Sequence, residues 1–134
     1  METFKHILPL QIRFNDIDMM GHVNNAVLME FFDYGKMKYF DTVGIDVEKT
    51  NSTLVIVHYE VDFRGQVTLH SNAQVCTKAV HFGEKSIHIL QHIVCDGEVK
   101  VVCRTVMSGY NKTTRESEII SEKIKNELLK YEEN

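Results

Sequence analysis

The chain has 134 residues, 43% of them hydrophobic and 25% charged, and carries a net charge of −4. This is the balance of a soluble globular domain long enough for one core, and it excludes the basic footprint of a nucleic-acid-binding protein. No apolar run approaches the roughly 18 residues of a membrane span, and Met1–His6 lacks the apolar segment of a signal peptide. Cys76, Cys95 and Cys103 are odd in number and form no C-x-x-C, the usage of reduced, buried thiols in a cytoplasmic protein.

In chain order, Phe4 to Phe14 reads as extended, with alternation at Leu10, Ile12 and Phe14. A loop over Asp18–Gly21 follows. A helix is predicted from Asn24 or Asn25 to Val43, with either asparagine as N-cap and Gly44 in the C′ position. At 1.5 Å per residue it is roughly 28 Å long. Its apolar residues, from Val27 and Leu28 to Phe40 and Val43, cover most of its circumference, the pattern of an enclosed helix.

Period two then takes over. Leu54–Phe63, Gln74–Val80, Ser86–Cys95 and Val99–Tyr110 read as strands. Asp96-Gly97 is a strong hairpin signal, and Phe82–Lys85 is a second turn. Short turns between consecutive strands make the sheet antiparallel. Ser121 is placed to cap a short helix with Ile124, Leu128 and Tyr131 on one face, packed at an edge or dangling. No repeat or linker divides residues 1–134, so one α+β domain is expected, a sheet curled around one long helix.

The chemistry concentrates in Arg13–Asn25. Two carboxylates, a glycine, a histidine and two asparagines stand directly before the helix. A helix N-terminus offers unpaired N–H groups and a partial positive charge. A carboxylate beside a glycine at that point has the parts of an acyl-transfer site. Metal binding is disfavoured by spacing. His88 and His92 are four apart, but on a strand that separates them by roughly 13 Å, and His58, His70 and His81 have no ligand spacing.

The segment Asn15-Asp16-Ile17-Asp18-Met19-Met20-Gly21-His22-Val23-Asn24-Asn25-Ala26 resembles the signature of the hotdog-fold acyl thioesterases, nearest the 4-hydroxybenzoyl-CoA thioesterase group. His81–Ser86 resembles the turn before that family's fourth strand. The resemblance implies a single hotdog domain that hydrolyses acyl-CoA to free acid and CoA, works as a homodimer or homotetramer, and needs no cofactor. It makes Asp18 the nucleophile or general base. It assigns carbonyl polarisation to backbone N–H groups at the helix start, at Asn24 and Asn25, with Gly21 making the turn and offering its own N–H. His22 either helps place water or bonds the loop. Asp16 orients the loop, on the same face as Asp18 if the segment is extended.

Leu28 lies where relatives carry Tyr and bears on the acyl pocket. Arg64, Lys85 and Ser86 are candidates for contacts to the CoA phosphates. Met20, where acyl-ACP thioesterases carry Asn, weakens the reading of acyl-ACP hydrolysis. That reading and a non-catalytic acyl-CoA-binding module are the alternatives.

Overall fold

The computed structural model describes residues 2–133. The elements run β1 (His6–Pro9), a 3-10 turn (Phe14–Asp16), α1 (Asn25–Val43), β2 (Ser52–Phe63), β3 (Ala73–Phe82), β4 (Ser86–Cys95), β5 (Glu98–Asn111), β6 (Glu116–Ser117) and α2 (Glu122–Glu133). The strands form one antiparallel sheet in the order β1-β3-β4-β5-β2, with β6 against β5. Tight turns place β3, β4 and β5 side by side. At the β4–β5 turn Asp96 and Gly97 have φ of +53° and +82°, the left-handed pair that a two-residue hairpin needs. β2 joins beyond β5, from Ser52–Asn111 to Phe63–Val101, and its other edge pairs with no strand among the described residues.

The first strand is shorter than expected. Only His6–Pro9 pairs with β3, although the Leu10 N–H still reaches the Ala73 carbonyl at 2.9 Å. Leu10 and Ile12 then turn onto the core. The Asp16 carboxylate takes the Arg13 N–H at 2.8 Å and closes the 3-10 turn, so this stretch is not extended.

α1 starts at Asn25 because the Asn24 carboxamide accepts the Ala26 N–H at 2.8 Å. It stops at Gly44, whose φ of +99° lets its N–H return to the Phe40 carbonyl at 3.0 Å. The helix lies across one face of the sheet and buries a single stripe, including Leu28, Phe32, Gly35, Tyr39, Phe40 and Val43. The expectation of an enclosed helix is therefore corrected. One sheet covers one side, and Tyr34 and Met37 opposite are 42% and 48% exposed.

The core has two parts. Val23, Leu28 and Phe32 pack with Val75, Ile93 and Val101 under the first half of α1. Tyr39, Phe40 and Val43 pack with Ile87, Ile89 and Met107 under the second half. α2 completes the second part rather than dangling. Ser121 caps it through the Ile124 N–H at 3.2 Å, and Ile124 and Leu128 are buried. The Tyr39 hydroxyl bonds Glu132, and Tyr131 stands edge-on to the Tyr39 ring.

Between the two parts α1 meets the sheet at Gly35. A Cβ there would fall 2.9 Å from Val75 Cγ2 and 3.0 Å from Gln91 Nε2. Gln91 is fully buried; its Nε2 donates to the Phe32 carbonyl at 2.9 Å and meets Thr77 Oγ1 at 3.0 Å. Its Oε1 accepts from Lys36 Nζ at 3.1 Å. Lys36 is only 4% exposed. Burial lowers its pKa; Asp33 at 3.5 Å and the Tyr59 ring at 5.1 Å offset part of the cost.

Gly35→Ala is expected to destabilise the domain. Overpacking a fixed contact costs about 1–3 kcal/mol, against a helix-propensity gain of about 1 kcal/mol. Urea unfolding should show a lower midpoint for the variant; a raised midpoint would mean that helix and sheet have slack at this contact.

Candidate functional site

The segment from Ile17 to Val23 folds back on itself as a tight loop. Ile17 and Val23 form a bridge, the Asp18 N–H donates to the His22 carbonyl at 2.8 Å, and the Gly21 N–H donates to the Asp18 carbonyl at 3.1 Å. Gly21 has φ of +84°, a conformation that side chains rarely adopt. Asp18 Oδ1 accepts the Met20 N–H at 2.9 Å and the His22 N–H at 3.2 Å, and no described residue donates to Oδ2. The Val23 N–H bonds the Val67 carbonyl at 2.7 Å and His22 bridges Thr68, which ties the loop to the segment after β2.

An open cleft of about 320 Å³ lies between these pieces. Asp18, His22, Val23, Asn25 and Leu28 line one side; Phe63, Gly65, Gln66 and Val67 line the other. The start of α1 forms part of it. Asn24 satisfies the Ala26 N–H with its side chain and the Leu28 N–H with its carbonyl at 3.0 Å. The Asn25 N–H has no acceptor among the described residues, as the geometry of a first helical turn requires. A carboxylate with one unengaged oxygen and an unpaired backbone N–H at the positive end of a helix thus belong to residues of one cleft. Such a pair can activate or supply a nucleophile and polarise a carbonyl.

Of the residues singled out from sequence, the cleft gathers Asp18, His22, Asn25 and Leu28. Gly21 makes the turn, but its N–H is already spent on Asp18, so the expectation that it offers a free donor is corrected. Asn24 serves as the cap.

Asp16 is not at the cleft. Its side chain is 1% exposed and bonds Arg13 Nη2 at 2.9 Å, and its carbonyl accepts the Asn24 N–H at 2.9 Å. It anchors the loop from below, and the 3-10 turn removes the shared face with Asp18. Arg64 lies at the rim, exposed between Phe63 and Gly65; its N–H and that of Gly65 both bond the Lys100 carbonyl, at 2.8 and 3.0 Å.

Lys85 and Ser86 lie at the opposite end of the sheet. Ser86 pairs with Ser108, and Ser108 pairs with Val55, eight residues before the cleft's Phe63. That is about 25 Å along β2, so a single chain does not bring them to Asp18. Phe63, Gln66 and Val67 escaped the sequence reading, because nothing in a strand end or a short loop marks it as facing a helix start.

The thioesterase-like superfamily is matched over residues 12–128. A thioesterase from Thermus thermophilus, complexed with coenzyme A and Zn, superposes with a TM-score of 0.89 at 24% identity, covering 100% of this chain and 98% of that one. A predicted thioesterase from Bacillus stearothermophilus superposes with a TM-score of 0.83 at 25% identity, covering 92% and 93%. Among curated proteins, the uncharacterised YsmA of Bacillus subtilis (strain 168) is 24% identical over 85 residues; the match spans 63% of this chain and 58% of YsmA.

The hydrogen bond from the Arg13 side chain holds the Asp16 carboxyl below the ordinary carboxylate value, against the opposing pull of its burial. A lowered folded value stabilises the fold above the ordinary carboxylate range, and that contribution is lost as pH falls through the folded value. Arg13 is 69% exposed, so solvent keeps the effect modest. Asp16→Asn is therefore expected to melt below wild type near neutral pH, with the gap closing in acid. Melting curves across pH check this; a gap that widens in acid would show that the ion pair is not its source.

Proposed function

We propose that this chain, which belongs to the thioesterase-like superfamily, hydrolyses acyl-CoA thioesters to the free acid and CoA. One observation carries the reading: Asp18, with one carboxylate oxygen held by two backbone N–H groups and the other without a donor among the described residues, lines the same cleft as Asn25, whose N–H at the start of α1 has no acceptor among the described residues. The thioester carbonyl would lie toward the Asn25 N–H. Asp18 would attack the carbonyl carbon or take a proton from the attacking water. His22 and Leu28 would border the reacting group and the acyl chain. The coenzyme A held by the Thermus thermophilus relative supports the choice of carrier.

The site needs two copies of the chain. Lys85 and Ser86 are remote from Asp18 within one copy, while the outer edge of β2, unpaired among the described residues, exposes Val57 and Phe63 at 60% and 52%. Antiparallel pairing of two β2 edges would bring the Lys85 end of one copy toward the Asp18 end of the other and satisfy the free backbone groups. Arg64 at the rim and Lys85 from the second copy would then meet the CoA phosphates.

Three results are expected. Asp18→Asn should lower kcat on a good acyl-CoA by at least about 100-fold, the usual contribution of an essential base, while leaving melting and acyl-CoA binding intact; near-wild-type turnover would remove Asp18 from the chemistry. Lys85→Ala should raise KM several-fold with little change in kcat, as loss of a remote binding contact does. Light scattering should give a dimer or a larger assembly; an active monomer would defeat the two-copy site. An acyl-ACP panel run beside the acyl-CoAs decides the carrier, and binding without turnover on either would leave a binding module.

A further inference from the structure

Two irregularities fall in the same row of the sheet. Between β3 and β4 the register steps from Ala79–Ile89 to His81–His88, so Val80 is the extra residue. Between β2 and β5 it steps from Ile56–Met107 to His58–Val106, so Val57 is the extra residue. Without the first bulge Val80 would face His88, and His81 would take the inward position opposite Ile87. The bulge re-aims it. Phe82 packs inward on the core instead, and His81 stands beside His88 on the face of the sheet away from α1.

The two rings have centroids 4.9 Å apart and planes at 76°. His81 is exposed and His88 is partly buried, so ions in solvent can reach them. With metal–nitrogen bonds of about 2.0–2.1 Å and ring centres about 1.1 Å behind each nitrogen, two imidazoles sharing one ion at about 90–110° have centroids about 4.5–5.2 Å apart. The observed spacing lies inside that range. Both side chains come from paired strands, so little further ordering is needed to bring them onto one ion. His58, in the same row, is two strand spacings from His88, about 10 Å, and faces Glu60 at 3.5 Å, so it is not a third ligand.

We propose that His81 and His88 form a two-imidazole site for a late first-row divalent cation, zinc or nickel, which clamps the mouth of the β3–β4 hairpin. Imidazole nitrogen suits these ions. Among the described residues no set of three or more ligands gathers, so water completes the coordination and the site is weaker than a closed structural one. The ion bridges the two strands directly before and after the turn, where the Gly83 N–H bonds the Ser86 carbonyl at 2.8 Å. It therefore stabilises the folded hairpin, and through it the fold, by an amount that grows with the logarithm of the free ion concentration above its Kd.

Calorimetric titration of the full, tag-free chain with zinc or nickel tests this, at mildly alkaline pH because protons compete for the same nitrogens. Expected are one saturable ion per chain and a rise in melting temperature that chelator reverses. His81→Phe and His88→Phe keep an aromatic ring at each position; both should bind at least tenfold more weakly and lose the metal-dependent rise. His58→Ala and His92→Ala should retain both. Metal-free melts of the variants report their folding, and His81→Asn repeats the test should His88→Phe fail to fold. Absence of saturable binding, or undiminished binding in a folded His81 or His88 variant, would overturn the site and leave the contact as an edge-to-face ring pair. Half an ion per chain would overturn the two-ligand coordination in favour of a site shared between copies.

Discussion

The close seat of α1 on the sheet is the constraint from which the rest of the molecule follows. Gly35 lets the helix backbone approach Val75 and Gln91, and Gln91 then reaches the Phe32 carbonyl and Lys36 at once. The buried amide spends its hydrogen-bonding capacity across three elements, so it fixes the helix against sliding as well as lifting. A helix is stiff, and Asn25 lies ten residues away, about 15 Å along the axis. Any change in the seat would be carried to the helix start, where the cleft depends on Asn25 and Leu28 standing opposite Phe63 and Val67.

Asp16 and Asp18 show how environment separates two like residues two positions apart. The first is enclosed, paired with Arg13 and tied by its carbonyl to Asn24. The second keeps one oxygen in a ring of loop N–H groups and borders the cleft. The first fixes the loop that presents the second. Burial and pairing make a carboxylate a structural post, whereas partial exposure at a positive helix end leaves it available for chemistry.

Much of this was legible in the residues. The period-two runs, Asp96-Gly97 and the Gly44 stop appear where expected, because each is a local preference that the fold obeys. The helix start was narrowed to two asparagines, and Asn24 proved to be the cap. What was hidden depends on distant partners. Lys36 reads as a surface lysine until Gln91 and Tyr59 are brought to it. The span from Phe4 to Phe14 alternates like a strand, but the Asp16–Arg13 bond curls its end. His81 and His88 lack a ligand spacing because a bulge, which sequence periodicity does not reveal, sets their register. The distance between Lys85 and Asp18 follows from strand order alone, which no local signal carries.

The strand order also sets a timetable for the growing polypeptide. β2 is translated before β3 and β4, yet among the described residues it pairs only with β5, which emerges after both of them. During that interval Val55, Ile56 and Val57 have no strand on either side, the kind of segment that invites aggregation. The core around Tyr39 and Phe40 stays open longer still, because Ile124 and Leu128 of α2 fill it. Folding of this domain is therefore gated by its most distal elements, with the slow rates that distant pairings impose.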